Sequence, residues 1–283
     1  MRITFLGTGT SYGVPHIGCD CAVCTSRDAR NKRLRSSILV DTTPDLRAQL
    51  LRSGTRRLDA VLWTHWHNDH VVGLDDLRPL SDAQGRIPGF CSARTLESLK
   101  KSFDYVFAER RDVAKLPGVD VPRIDIEAIA AGQPLDIGAL RVTPLQIQHG
   151  RNAIFAYRFE PRVLAQKSER NESDKKPFGK SDASTRGPIF VYATDCSAVS
   201  ETSRENMCGS NLLVLGALRH REHPAHFSVS QAVAESQQLQ ARRTLFTHIA
   251  HDLDHDETNA QLPAGISLAH DEMNIDLWRN FQM

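Results

Sequence analysis

The chain has almost no excess of either charge: 35 Lys and Arg stand against 34 Asp and Glu in 283 residues, a formal net charge of +1. Such a balance supplies no broad field to draw the protein to nucleic acid or to an anionic membrane. Long hydrophobic runs are also lacking, and the longest are too short to span a bilayer. No internal repeat is visible. No secretory leader is visible either, because Met1-Arg2-Ile3-Thr4 reads directly as a strand. The six cysteines are therefore expected to sit in a reducing, cytoplasmic compartment. The length is enough to bury a large core, and residues 1–283 are read as one domain.

What the sequence does contain is concentrated chemistry. Thr64-His65-Trp66-His67-Asn68-Asp69-His70 puts three imidazoles and a carboxylate into six residues. It follows the apolar run Leu58-Asp59-Ala60-Val61-Leu62-Trp63, which reads as a buried strand, so the cluster belongs to the loop at that strand's carboxyl end. Imidazole nitrogen and carboxylate oxygen suit zinc and similar borderline cations. His-x-His would hold one ion, and Asp-His could begin a second site beside it. Further donors each follow a strand-like run: His149 after Leu140 to Ile147, Asp195 after Ile189 to Thr194, and His248 after Thr244 to Thr247. Donors at several strand ends are expected to converge on one rim.

A second cluster, Gly18-Cys19-Asp20-Cys21-Ala22-Val23-Cys24, places three thiols in six residues. This spacing suits a closed tetrahedral zinc site but leaves the fourth ligand open. His251, three residues beyond His248, is the better candidate and His255 the rival. Cys91, Cys196 and Cys208 stand apart, in or beside apolar segments. Reduced surface cysteines or a disulfide are the bland alternatives for the triplet.

Helices are expected where apolar residues recur at helical spacing. Thr43-Pro44-Asp45 reads as a helix start, with Thr43 as N-cap and Pro44 in the first position, leading into Leu46, Leu50 and Leu51. Ala93 to Phe107 and Ser228 to Gln240 read as two more. Residues 166–187 are nearly free of apolar side chains and read as a mobile polar insertion between two strands, with a substrate gate or partner-binding loop as the alternative. His16, His255 and His270 lack supporting spacing and are given surface or capping roles. Trp66 is expected to pack under the metal loop, and Arg78 to be a solvated helix residue more than a phosphate contact.

The HxHxDH motif, followed by a His, an Asp and a His at these intervals, resembles the metallo-β-lactamase-fold hydrolases. Ile3 to Ser11 is similar to that family's opening strand and glycine turn, and Ser37 to Thr42 to the strand and acidic turn before its metal loop. The resemblance implies an α+β fold, a four-layer αββα sandwich with two facing sheets and helices outside. It places His65, His67 and His149 on one metal, Asp69, His70 and His248 on a second, and Asp195 between them. The cysteine loop, about residues 16–33, resembles the PhnP-type phosphoribosyl cyclic phosphate phosphodiesterases of the carbon–phosphorus lyase pathway. That implies a structural zinc on Cys19, Cys21, Cys24 and His251, and a phosphate-contacting proton donor at His226, although His220 and His223 lie close by. PqqB shares a similar cysteine loop but lacks the complete HxHxDH. Many relatives carry an acidic or amide residue where Gly216 stands, and a support for a metal ligand would be missing here.

The implied cofactors are two divalent ions, zinc or manganese or iron, and one structural zinc. Two such ions acidify a bound water towards neutrality and neutralise charge on a phosphoryl oxygen. Asp69 would ligate and orient the nucleophile, and His226 would protonate the leaving oxygen. The implied activity is phosphodiesterase action on a small cyclic or nucleotide-like phosphodiester. A thioester or lactone hydrolase, a transfer-RNA 3′-processing nuclease and a metal-dependent binding protein are the alternatives. Homodimers are common among the proteins it resembles. Nothing in the sequence reads the physiological substrate.

Overall fold

The computed structural model describes residues 1–38, 40–107, 120–162 and 187–277. The expected insertion at 166–187 falls outside the described residues except for Gly187. In chain order the strands are β1 (Arg2–Thr4), β2 (Val61–Leu62), β3 (Ile87–Cys91), β4 (Ile124–Ala128), β5 (Leu135–Ile137), β6 (Leu140–His149), β7 (Asn152–Pro161), β8 (Phe190–Ala193), β9 (Ala198–Val199), β10 (Leu212–Gly216), β11 (Thr244–Thr247), β12 (Ile266–Leu268) and β13 (Asn274–Asp276). The larger sheet runs β12-β11-β10-β8-β7-β6-β5, with β9 added on β6. Its β8, β10, β11 and β12 are parallel, while β5, β6 and β7 form antiparallel pairs. The facing layer is made of β1 with β13 and of parallel β2-β3-β4. Bridges from Ser37 to Gly7 and from Val40 to Leu62 join those two pieces. The strand expected over Ser37 to Thr42 is thus reduced to isolated bridges.

The parallel strands β8, β10 and β11 are buried on both faces, which is why they are nearly all apolar. Alternate residues part to opposite sides. Phe190, Tyr192, Leu212, Val214, Phe155 and Tyr157 meet Ile3, Phe5, Val40 and Leu62 in the core between the sheets. Val191, Ala193, Leu213 and Leu215 turn outward to a second core that includes Met207, Val229 and Ala232 of the helices Glu201–Met207 and Val229–Gln238. A third core lies on the far side of the smaller sheet, where Val61, Trp63 and Ile87 meet Leu46, Leu80 and Leu99 of the helices Leu46–Ser53, Arg78–Gln84 and Ala93–Ser102. Three cores separating helix, sheet, sheet and helix make the expected αββα sandwich.

Local signals decide where the helices start and stop. Ser228 forms a full capping box with Gln231 before Val229–Gln238. The helix expected over Ala93 to Phe107 breaks at Phe103, and its last turn is a separate piece, Asp104–Phe107. Thr43 does not cap the next helix: its hydroxyl accepts from Asp45 N at 3.2 Å and donates to Gln49, and the N-cap position falls to Asp45. The Asp45 carboxylate pairs with Arg35 at 2.9 Å instead of capping. No described helix is long and apolar enough to cross a membrane.

Candidate metal centre

The motif loop is held at its base by buried contacts between the two sheets. Trp63 is fully buried and donates its indole N–H to Thr42 Oγ1 at 2.9 Å, while Tyr157 donates its hydroxyl to Trp63 O at 2.8 Å. Thr64 O accepts from Phe155 N at 3.0 Å, which ties the end of the smaller sheet to β7. Gly73 lets the chain turn away beyond the motif: a Cβ there would lie 2.0 Å from Thr43 O.

Two groups of donors meet at this rim, each with its donor atoms within 4.8 Å of one another: His65, His67 and His149, and Asp69, His70, Asp195 and His248; a third triad, His149, Asp195 and His226, overlaps both. His67 Nδ1 lies 3.3 Å from His149 Nε2. His70 Nε2 lies 3.2 Å from Asp69 Oδ2 and 3.3 Å from Asp195 Oδ1. Asp195 faces both groups. Its Oδ1 is 2.9 Å from His248 Nδ1, and its Oδ2 is 3.9 Å from the Nε2 atoms of both His65 and His149.

The opposite edges of these rings are tied down. His70 Nδ1 donates to Asp41 Oδ2 at 2.7 Å. Asp41 also accepts from Thr64 N at 2.7 Å and from the Thr64 hydroxyl, so that hydroxyl is left to accept from His65 Nδ1 at 3.0 Å. His149 Nδ1 donates to Ala225 O at 2.8 Å. Each of the three rings therefore presents an unprotonated Nε2 inward when neutral. His248 is reversed: its Nε2 approaches Thr10 Oγ1 at 3.4 Å, and its Nδ1 faces the cluster.

Buried His65 Nε2, His70 Nε2 and His248 Nδ1 face carboxylate oxygens at 2.9–3.9 Å without making a well-aligned hydrogen bond, although buried polar atoms are normally satisfied. Cations held one in each group would take up these lone pairs, so the residues present fit divalent ions. Asp41, Asp195 and His248 also hold positive φ angles of 73°, 54° and 59°. A non-glycine residue in that region costs ~1–3 kcal/mol, and such strain gathers at functional sites.

The electrostatics agree. Burial opposes ionisation of Asp195, yet the facing His248 and His70 hold its carboxyl well below the usual range. Burial likewise opposes a proton on His70, but Asp195, Asp69 and Asp41 outweigh it and raise its pKa. Three carboxylates around one imidazole make a place that favours positive charge. Burial lowers His65 and His67, and burial with His248 pushes His226 down to about 3. The His226 ring lies 4.6 Å from His149 and 4.8 Å, stacked, from His248.

A separate group forms around the cysteine loop. His251 Nδ1 lies 3.3 Å from Cys19 Sγ, 3.5 Å from Cys21 Sγ and 3.4 Å from Cys24 Sγ. The four donors suit tetrahedral zinc. His255 is not among them; it is buried with its ring against His270. Cys91, Cys196 and Cys208 are free thiols outside the group. His16 is neither a plain surface nor a capping residue: its ring stacks on His251 at 3.8 Å and its N–H donates to Cys24 Sγ.

Trp66 is half-buried against the outer core, with the Arg94 guanidinium 4.2 Å over its ring, a cation–π contact the sequence reading did not include. Arg78 is half-exposed and faces Asp75 at 3.9 Å. Gly216 has a steric reason of its own, since a Cβ there would stand 3.0 Å from Asp195 N and press on the Asp195 backbone. Asp41, the orienting partner of His70, was visible in the sequence only as part of an acidic turn.

A sequence profile of the β-lactamase superfamily domain matches residues 36–249. Among curated proteins, an octanoyltransferase of Porphyromonas gingivalis is 32% identical over 283 residues, covering 96% of this chain and 50% of its own. A ribonuclease Z of Bradyrhizobium diazoefficiens is 32% identical over 168 residues, 56% of this chain and 49% of its own. The chain thus spans about half the length of these two relatives. Among solved structures, a diphosphatase from the PhnP family superposes with a TM-score of 0.79 and 36% identity over 97% of both chains. Zinc-bound PqqB from Methylobacterium extorquens superposes with a TM-score of 0.70 over 98% of this chain and 100% of its own, a likeness of fold alone at 17% identity.

Proposed function

The chain belongs to the β-lactamase superfamily, with the metallo-β-lactamase fold of a PhnP-like hydrolase, and on that premise we propose that it is a binuclear metal-dependent phosphodiesterase acting on small phosphodiesters. The observation that carries this reading is Asp195: one carboxylate turns separate oxygens to two donor groups, as a ligand shared by two ions could. His65, His67 and His149 would hold one ion, Asp69, His70 and His248 the other, and Cys19, Cys21, Cys24 and His251 a structural zinc.

When bound, divalent ions would supply Lewis acidity, lowering the pKa of a water and offsetting charge on a phosphoryl oxygen. The chain supplies the rest. Asp41, Thr64 and Ala225 O fix ring orientation, so little reorganisation is needed as charge develops. Asp69 accepts from and aligns the attacking water. His226, set between His149 and His248 and neutral at rest, would take up the proton given up by the attacking water once the anionic phosphodiester is bound beside it, and pass that proton to the leaving oxygen as the phosphorus–oxygen bond breaks. A small substrate suits a protein of net charge +1 better than a long polyanion does.

The direct test is hydrolysis of bis-p-nitrophenyl phosphate by the wild type, His67→Ala and Asp69→Ala. Wild-type turnover with loss of at least about a hundredfold in both variants is expected for residues acting at the metals. Turnover at the wild-type rate in either variant would sink the assignment.

A further inference from the structure

The loop that carries His226 holds a second imidazole with a defined tautomer, and its reading rests on the phosphodiesterase assignment above. The loop is closed at its base, where Leu218 N donates to Phe227 O at 3.0 Å and Val229 N to Arg219 O at 2.9 Å. Within it the Arg219 guanidinium donates to the carbonyls of Arg221 at 3.4 Å and Glu222 at 3.2 Å. His223 Nδ1 accepts the Ala225 N–H at 3.2 Å, so the proton of the neutral ring resides on Nε2. The half-buried His223 ring lies 5.0 Å from that of His226, which stacks on His248. Three imidazoles thus lead outward from the ligand group, and the reaction as proposed uses no donor from the last.

We infer that His223 is a specificity-determining residue that binds the second phosphoryl group of a diphosphate diester, its Nε2–H donating to a non-bridging oxygen of the leaving phosphate. The ring stands one imidazole beyond the group that meets the scissile phosphoryl. Arg219, close enough to act on His223 electrostatically, adds positive charge to the same loop. A simple diester carries no anionic oxygen beyond its scissile phosphoryl, whereas a diphosphate diester does. Similarity to a PhnP-family diphosphatase over 97% of the chain points the same way.

The competing view is that His223 only holds the turn whose Ala225 carbonyl orients His149. The variant His223→Asn separates the two. An Asn side-chain oxygen can accept the N–H two residues on, so the turn is kept, while its shorter amide brings no N–H out to the place of the imidazole Nε2. Full-length metal-loaded wild type, His223→Asn and His223→Ala would be assayed on diadenosine diphosphate and on bis-p-nitrophenyl phosphate, with metal content measured alongside. We expect His223→Asn to keep its metal and to lose about tenfold more kcat/KM on the diphosphate than on the simple diester, mostly through KM, as for loss of a hydrogen bond to a charged group. Recovery by His223→Asn of whatever His223→Ala loses, or equal losses on the two substrates, would overturn the inference. A wild type active on the simple diester but not on the diphosphate would overturn it too. A wild type inactive on both would instead remove the phosphodiesterase reading on which it rests.

Discussion

Asp41→Asn tests the link between orientation and metal binding. The native carboxylate is fully buried, accepts from Thr64 N at 2.7 Å, from the Thr64 hydroxyl at 2.9 Å and from His70 Nδ1 at 2.7 Å. The amide is nearly isosteric but offers only one acceptor oxygen. If that oxygen stays on Thr64 N, the new NH2 faces His70 Nδ1 donor to donor. His70 can relieve the clash only by moving its proton to Nε2, the nitrogen 3.2 Å from Asp69 and 3.3 Å from Asp195. That shift takes the Nε2 lone pair away from the second ligand group, and an unrelieved clash pushes the ring out of position. Loss of such an orienting partner costs about 10–100-fold in metal affinity or activity, or ~1.4–2.8 kcal/mol. The fold should suffer less. A lost charged hydrogen bond costs ~1.5–3 kcal/mol, partly offset because burial already disfavours the Asp41 charge. The assay is metal retention against graded chelator, read by mass spectrometry, with phosphodiester turnover and thermal unfolding on the same samples. Wild-type metal affinity and turnover in Asp41→Asn would refute the reasoning.

Other perturbations report on other parts of the structure. Cys21→Ser should lose about one zinc per chain and unfold at lower temperature, since structural zinc contributes directly to folding; lost activity with zinc and stability unchanged would contradict a structural role. His226→Ala should slow release of an alkoxide leaving group far more than release of nitrophenolate, and equal losses would argue against proton donation. Gly73→Ala should cost about 1–3 kcal/mol in urea unfolding, because its Cβ meets the Thr43 carbonyl at 2.0 Å; an unmoved midpoint would contradict the close approach. Asp254→Ala removes the cap of the helix His255–Gln261, where the carboxylate accepts from Asp256 N and Glu257 N, and should cost about 1 kcal/mol at pH 7. Burial opposes the Asp254 charge, but the bonds from Glu257, Asn31 and Asp256 outweigh it and lower its pKa. The capping contribution is therefore full above the ordinary value of about 4 and lost as pH falls through the lowered one. A gap between wild type and Asp254→Ala that stays constant below that range would count against it.

The donors at the rim were legible because each follows an apolar strand: Leu62 leads to His65, Ile147 to His149, Ala193 to Asp195 and Thr247 to His248. In the larger sheet β6, β8 and β11 point the same way, which brings His149, Asp195 and His248 to one edge; the pattern marked the strand ends, and the strand directions made them converge. Asp41 was harder, since its role depends on a positive-φ turn and on a ring 29 positions further along the chain. His16 was misread because its partner His251 comes from a distant loop, and neither residue's spacing reveals a stacked pair. The break at Phe103 escaped because apolar periodicity continues through Val106 while the backbone does not. Gly216 looked like a missing support; it is also a close approach to the Asp195 backbone that only the packed strands disclose.

The central claim, two catalytic ions sharing Asp195 beside a separate zinc, is tested most directly by measuring metal content together with bis-p-nitrophenyl phosphate turnover, before and after chelation. The account predicts about three ions per chain, with two removed first and hydrolysis lost and regained with them. Saturation at about one ion, or hydrolysis that persists in metal-free protein, would contradict it.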